Sequence, residues 1–202
     1  MWTMSRLGLA LVVSAVSLPA LAQSAAPERL RGTIEKIDGT TLTIHTRDGA
    51  TATLTLDDSG TTTVVLAASR ADIKDNSFIG TAAMPDKDGI LHAQEVVIFP
   101  ESLRGTGEGF RPWDLTPGST MTNATVGNVS GANGDTLSLK YKGGEKKLVI
   151  PADVPIVTLA QGALSDAKPG VGIIVPMAEK QTDGTYHAKR VVVGKDGVNP
   201  PM

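Results

Sequence analysis

Between Arg104 and Asp114 the chain places two arginines, a glutamate, a tryptophan and an aspartate: Arg104, Glu108, Arg111, Trp113 and Asp114. Guanidinium groups make forked, charge-assisted hydrogen bonds to carboxylates and phosphates. An indole offers a flat face for stacking. Gly105, Gly107 and Gly109 interleave these residues and let the backbone turn sharply or approach a ligand closely. The chemistry such a set supports is reversible binding of a small polar or anionic ligand, with the arginines as donors. The same residues can instead clasp two packed domains, which is the plainer use for a joining segment. The glycines do not make a phosphate loop, because no Lys-Ser/Thr pair follows them.

Three histidines are the next candidates. His92 and His187 each follow an Asp-Gly pair, and His45 lies on an alternating run. Asp86 and Asp88 are close to His92, and Asp183 to His187, so metal handling is an alternative reading. No His-x-His or His-x3-His spacing concentrates ligands, so no metal site is assigned and His92 and His187 remain weak candidates. Catalysis has no motif behind it. Gly-x-Ser-x-Gly is absent, and Asp57-Asp58 reads as a strand end or turn. The chain has no cysteine, which excludes thiol chemistry and thiolate metal sites. No enzyme activity and no cofactor are expected. The run Lys140-Tyr141-Lys142-Gly143-Gly144-Glu145-Lys146-Lys147 reads as a solvated hairpin whose lysines guard a strand edge.

Charge and composition narrow the partners. The formal net charge is -2, so nucleic acid, which demands a basic excess, is disfavoured. Aromatics are 3% of residues, too few for base-stacking platforms. The N-terminus reads as a targeting segment over residues 1–22. Arg6 supplies the positive charge, Leu7 to Ala22 is almost wholly apolar, and Ala20-Leu21-Ala22 has the small-x-small pattern of a cleavage site. Cleavage is expected after Ala22, giving a periplasmic or secreted protein. Pro19 interrupts the apolar run, which is shorter than a bilayer span requires. Beyond it no stretch could span as a helix, so no transmembrane segment is expected in the mature chain.

The elements that must position these residues come from a repeat. Thr33-Ile34 matches Thr125-Val126, and Thr41-Leu42-Thr43-Ile44 matches Thr136-Leu137-Ser138-Leu139. Asp72-Ile73-Lys74 matches Asp166-Ala167-Lys168. Asp88-Gly89-Ile90-Leu91-His92-Ala93 matches Asp183-Gly184-Thr185-Tyr186-His187-Ala188. Both units are rich in Thr, Val and Ile with period-two alternation, and Asp-Gly, Asn-Gly and Gly-Gly pairs punctuate them. Asn76 and Gly170 share a repeat position and suggest a left-handed turn. The only helical candidates are short turns near Arg70 to Lys74 and Ala163 to Lys168. The expected fold is all-β: two tandem small OB-like β-barrels related by internal duplication, after a signal peptide. Closure would remove exposed strand edges. The expected boundaries are 30–99 for the first barrel, 100–123 for an inter-domain clasp, 124–195 for the second barrel and 196–202 for a tail.

The middle segment also carries a resemblance. Pro100-Glu101-Ser102-Leu103-Arg104-Gly105-Thr106-Gly107-Glu108-Gly109-Phe110-Arg111-Pro112-Trp113-Asp114-Leu115, then Ser119-Thr120-Met121-Thr122-Asn123-Ala124 and Tyr141-Lys142-Gly143-Gly144-Glu145-Lys146, resemble a family of uncharacterised exported bacterial proteins. The resemblance runs over essentially the mature chain. It implies tandem OB-like barrel domains of unknown function. Members are sometimes labelled metal transporter permeases, and many carry His where this chain has Phe110. Taken together, the expectation is a non-catalytic exported binding or interaction protein with a small polar or anionic ligand site between the barrels. The alternatives are periplasmic metal handling and a purely structural envelope protein. The expected partner is a small polar ligand or an envelope protein.

Overall fold

The computed structural model describes residues 26–131 and 135–201. The leader therefore lies outside the described residues, as does the Asn133-Gly134 turn. Twelve strands follow one another: β1 (Glu28–Asp38), β2 (Thr41–Thr46), β3 (Thr51–Ala67), β4 (Phe78–Pro85), β5 (Leu91–Ile98), β6 (Gly109–Pro112), β7 (Thr120–Ser130), β8 (Thr136–Tyr141), β9 (Gly144–Val149), β10 (Ile156–Gly162), β11 (Gly172–Lys180) and β12 (Tyr186–Gly194). The fold is all-β, and among the described residues the only other elements are 3-10 turns at Arg70–Asp72, Glu101–Leu103 and Leu164–Asp166.

The period-two pattern produces these strands directly. On β2, Leu42, Ile44 and Thr46 are buried while Thr41, Thr43 and His45 are not. The β-branched residues between them suit a half-buried pleated surface. Asn76 does adopt a left-handed φ of 66°, and Gly170 one of 84°, at the same place in each repeat. The 3-10 turns repeat their wiring as well. The Asp72 carboxylate accepts from the Ser69 amide at 2.8 Å, and that of Asp166 from the Ala163 amide at 2.9 Å.

The strands close two five-membered rings of identical connectivity. In one, β1 pairs with β2, β2 with β3, β3 with β12, β12 with β11 and β11 with β1. In the other, β7 pairs with β8, β8 with β9, β9 with β5, β5 with β4 and β4 with β7. Each ring has a single parallel junction, β3–β12 or β5–β9, and is otherwise antiparallel. Each encloses its own apolar core. Ile34, Leu42, Ile44, Leu54, Val175 and Val191 fill the first; Ile79, Leu91, Val96, Leu137, Leu139 and Leu148 fill the second. Burying each such side chain stabilises by about 1.5–3 kcal/mol.

The expected boundaries need correction, because the rings are not the sequence units. The ring expected from 30–99 takes only its first three strands there and its last two from β11 and β12. The ring expected from 124–195 instead takes β4 and β5 from the earlier unit. In chain order the second ring is continuous, from β4 to β9, and is inserted between β3 and β11 of the first. Its entry and exit strands pair with one another: Thr62–Ala67 of β3 runs antiparallel to Val157–Gly162 of β10. Val65, Val97 and Val157 form a third small core at this neck. The segment 100–123 is not a bare connection either. It holds β6, which pairs along the front of β7, and its last four residues already belong to β7.

A second correction concerns Asp57-Asp58. Both lie inside the 17-residue β3, where residues 57–60 bulge between the Leu56↔Ala188 and Thr61↔Arg190 pairs. The corresponding stretch of the second unit carries Pro151 and Pro155. Without N–H groups these cannot donate to a ladder, although Pro155 still accepts from the Val96 amide at 3.0 Å, and the strand breaks into β9 and β10.

Candidate functional site

The β6–β7 hairpin places the sequence candidates. Arg111 pairs with Met121 and Pro112 with Thr120, and the Trp113 amide donates to the Ser119 carbonyl at 2.8 Å. The hairpin belongs to the second ring, but its tip reaches β1 of the first. There the Asp114 carboxylate accepts from Arg31 Nη2 at 2.8 Å and Nη1 at 3.1 Å, a bidentate grip. Arg29 Nη1 donates to the same two oxygens at 3.0 and 3.1 Å. Paired with two guanidinium groups, Asp114 has its pKa lowered to about 2, with the Arg31 hydrogen bond the largest cause. Trp113 stands beside this pair. The Arg29 guanidinium carbon is 4.1 Å from its ring centroid and that of Arg111 is 5.4 Å away.

Of the five expected residues, Arg111, Trp113 and Asp114 therefore come together, and Arg104 and Glu108 are engaged elsewhere. Arg104 donates to Glu101 at 2.6 and 2.8 Å and to the Asn76 carbonyl at 2.8 Å. The Glu108 carboxylate accepts from the Lys142 amide at 3.0 Å, tying the segment to the β8–β9 turn. Arg111 itself donates to the Gly107 carbonyl at 2.8 Å. These bonds hold the segment to the second ring, and its link to the first ring is the Asp114 contact.

Sequence reasoning missed Arg29, Arg31, Arg47 and Glu95. Arg29 and Arg31 are two apart on β1, a spacing that puts both on one face of a strand. Arg47 begins the β2–β3 turn, and its amide donates to the Arg31 carbonyl at 2.9 Å. Glu95 lies on β5, opposite Ala82, in a cross-strand row that continues through Met121 to Arg111. Only 1% of Glu95 is exposed, and neither carboxyl oxygen has a hydrogen-bond partner. Burial raises its pKa to about 7, against the opposing pull of Arg31 and Arg47. Arg31 Nε and Trp113 Nε1 are likewise buried without partners. No family model, curated protein or solved structure matches the chain.

Two clefts adjoin the first ring. One, about 690 Å³, opens between β1, the β2–β3 turn and the hairpin tip. Arg29, Arg31, Arg47, Asp114, Lys180 and Tyr186 are among its lining residues. The other, about 480 Å³, lies over the β3 bulge and β10, with Asp57, Asp58, Ser102 and Arg190 on its walls. Each histidine faces one carboxylate. His92 Nε2 is 3.2 Å from Asp86, and His187 Nδ1 is 3.4 Å from Asp57. His45 Nδ1 is 3.8 Å from Glu35. Among the described residues no group of three or more His, Cys, Asp or Glu is placed to hold a metal ion. No helix among them is long and apolar enough to cross a membrane, which says nothing about crossing by strands.

Proposed function

We propose that this chain is a non-catalytic exported binding or interaction protein whose ligand face is the seam between its two barrels. The observation that carries the reading is the 690 Å³ cleft, which falls within the usual range of small-ligand sites. Its walls come from both rings, and its charged groups are concentrated beside the Arg31–Asp114 contact. In this reading the expected Arg104 and Glu108 brace their own segment against the inserted barrel, and the contacts with ligand pass to cations of the first barrel. Export follows from the leader pattern of residues 1–22 and remains part of the proposal.

A second reading, a purely structural envelope protein, has its own support: Arg104, Glu108, Arg111 and Asp114 all have partners within the protein. Metal handling has less, since each histidine faces one carboxylate. Native mass spectrometry of the mature protein recovered from its own host separates them. A retained organic mass supports binding, and a retained metal supports the alternative. A bare mass from folded protein supports the structural reading and overturns the proposal.

A further inference from the structure

We infer that the cleft between β1 and the β6–β7 hairpin receives a small organic carboxylate with an apolar body, held by Arg47 and Lys180 beside the carboxylate the protein supplies itself. The inference rests on the binding role proposed above and names the ligand class.

The chemistry is visible in the occupied half of the cleft. Arg29 and Arg31 already hold a planar carboxylate, that of Asp114, through four hydrogen bonds of 2.8 to 3.1 Å. The wall is thus built in the geometry that guanidinium groups use for carboxylates. Arg47 and Lys180 face the same space, and neither forms an ion pair with a carboxylate among the described residues. The acids on the lining besides Asp114 are Glu28, which like Lys180 lies against the Tyr186 hydroxyl, and Asp48. Asp48 accepts from the Thr46 hydroxyl within its own turn, which keeps it below the ordinary carboxylate range. Glu95 stands behind the arginines, fully buried; its raised pKa keeps much of it uncharged near neutrality, so it neutralises Arg47 only in part.

The remainder of the wall selects the body of the ligand. The half-buried Leu30 and Leu115 line the cleft beside the edges of Ala52 and Tyr186, whose side chains are otherwise buried in the first core, and Lys180 Nζ sits 5.5 Å from the centroid of the Tyr186 ring. Cations alone would suit any oxyanion, including phosphate. Cations next to apolar and aromatic surface favour a carboxylate attached to something that can leave water.

The test is a ¹⁵N-resolved titration of the mature protein with benzoate, and in parallel with acetate and inorganic phosphate. Benzoate is expected to shift the Arg47, Ala52 and Lys180 amides saturably, with a dissociation constant of about 1 mM, the strength of a small fragment. Acetate and phosphate are expected to bind at least about tenfold more weakly. Lys180→Gln, near the end of β11, is expected to weaken benzoate about tenfold with an otherwise native spectrum, and Arg47→Gln likewise. Arg104→Gln, which touches only Glu101 and Asn76, should leave binding unchanged. Equal binding of benzoate and phosphate overturns the choice of ligand, and wild-type affinity in Lys180→Gln overturns the site. Should native protein retain an organic mass while benzoate leaves the cleft silent, this inference falls and the binding role stands. If neither is seen, both fall.

Discussion

A carboxyl group held away from water keeps its proton more tightly, and Glu95 does so in the second barrel while two arginines of the first pull the other way. Its pKa stands at about 7 in the folded chain against an ordinary 4.5. The folded state therefore holds a proton that the unfolded chain has released. The associated stability is fully present below about pH 4.5 and is lost as pH rises through about 7, roughly 3 kcal/mol in all. Glu95→Gln is expected to remove that decline: its melting temperature should change little between pH 5 and 8, while that of the wild type falls. Asp114 behaves in the opposite sense. Its lowered pKa contributes stability above the ordinary carboxylate range that is lost as pH falls toward 2. Because 52% of its side chain is exposed, water screens the pair. Asp114→Asn should cost about 1 kcal/mol in urea unfolding at pH 7. The sequence announced Asp114 and Trp113 because they sit in one dense cluster. It could not announce Arg31 or Glu95, which are ordinary strand residues until the fold brings a distant carboxylate or a second barrel against them.

At the scale of the element, the turns were the most legible feature. Asp-Gly pairs, the left-handed Asn76 and Gly170, and the two expected short helical turns fall where residue types put them, while a third, at Glu101–Leu103, was not expected. The reach of the strands was less legible. Asp57-Asp58-Ser59-Gly60 has the composition of a turn, yet β3 runs through it, because β12 pairs with the strand on both sides of the bulge. Gly32 was also silent in the sequence. It lies where β1 pairs with β2 and β11 at once, and an added Cβ would meet the His45 carbonyl oxygen at 2.1 Å. That neighbour is backbone and has no room to yield. Gly32→Ala should therefore destabilise the protein by more than about 2 kcal/mol, read as a lower urea midpoint with an unchanged slope.

For the whole molecule, the sequence conveyed that there are two copies of one β unit and not how they assemble. Local pattern specifies strands, and pairing of repeats has two solutions that bury the same residues: each unit closes on itself, or the units trade their last two strands. The deciding contacts lie at the neck, where β3 and β10 pair and Arg70 donates to the carbonyls of Ile150 at 2.9 Å and Pro151 at 3.0 Å. Those bonds join the two ends of the inserted barrel. Residues 69–155 excised as a separate chain are thus expected to fold into a monomeric barrel with a cooperative thermal transition. The fragment 26–99, which the repeat alone would nominate, holds three strands of one ring and two of the other and should not reproduce the native pairing. A folded 26–99 showing β1–β4 contacts by NMR, together with an unfolded 69–155, would contradict the arrangement.

The continuous chain order of the inserted barrel also sets a timetable. A polypeptide emerging N-terminus first can complete that barrel once Val149 has appeared, whereas the surrounding one must wait for β12, some forty residues later. Until then β1, β2 and β3 wait as an open three-stranded sheet with apolar faces uncovered. Anything that detains a nascent chain in that interval, whether chaperone or export machinery, would find its grip on the first forty residues of the barrel region and not on the middle.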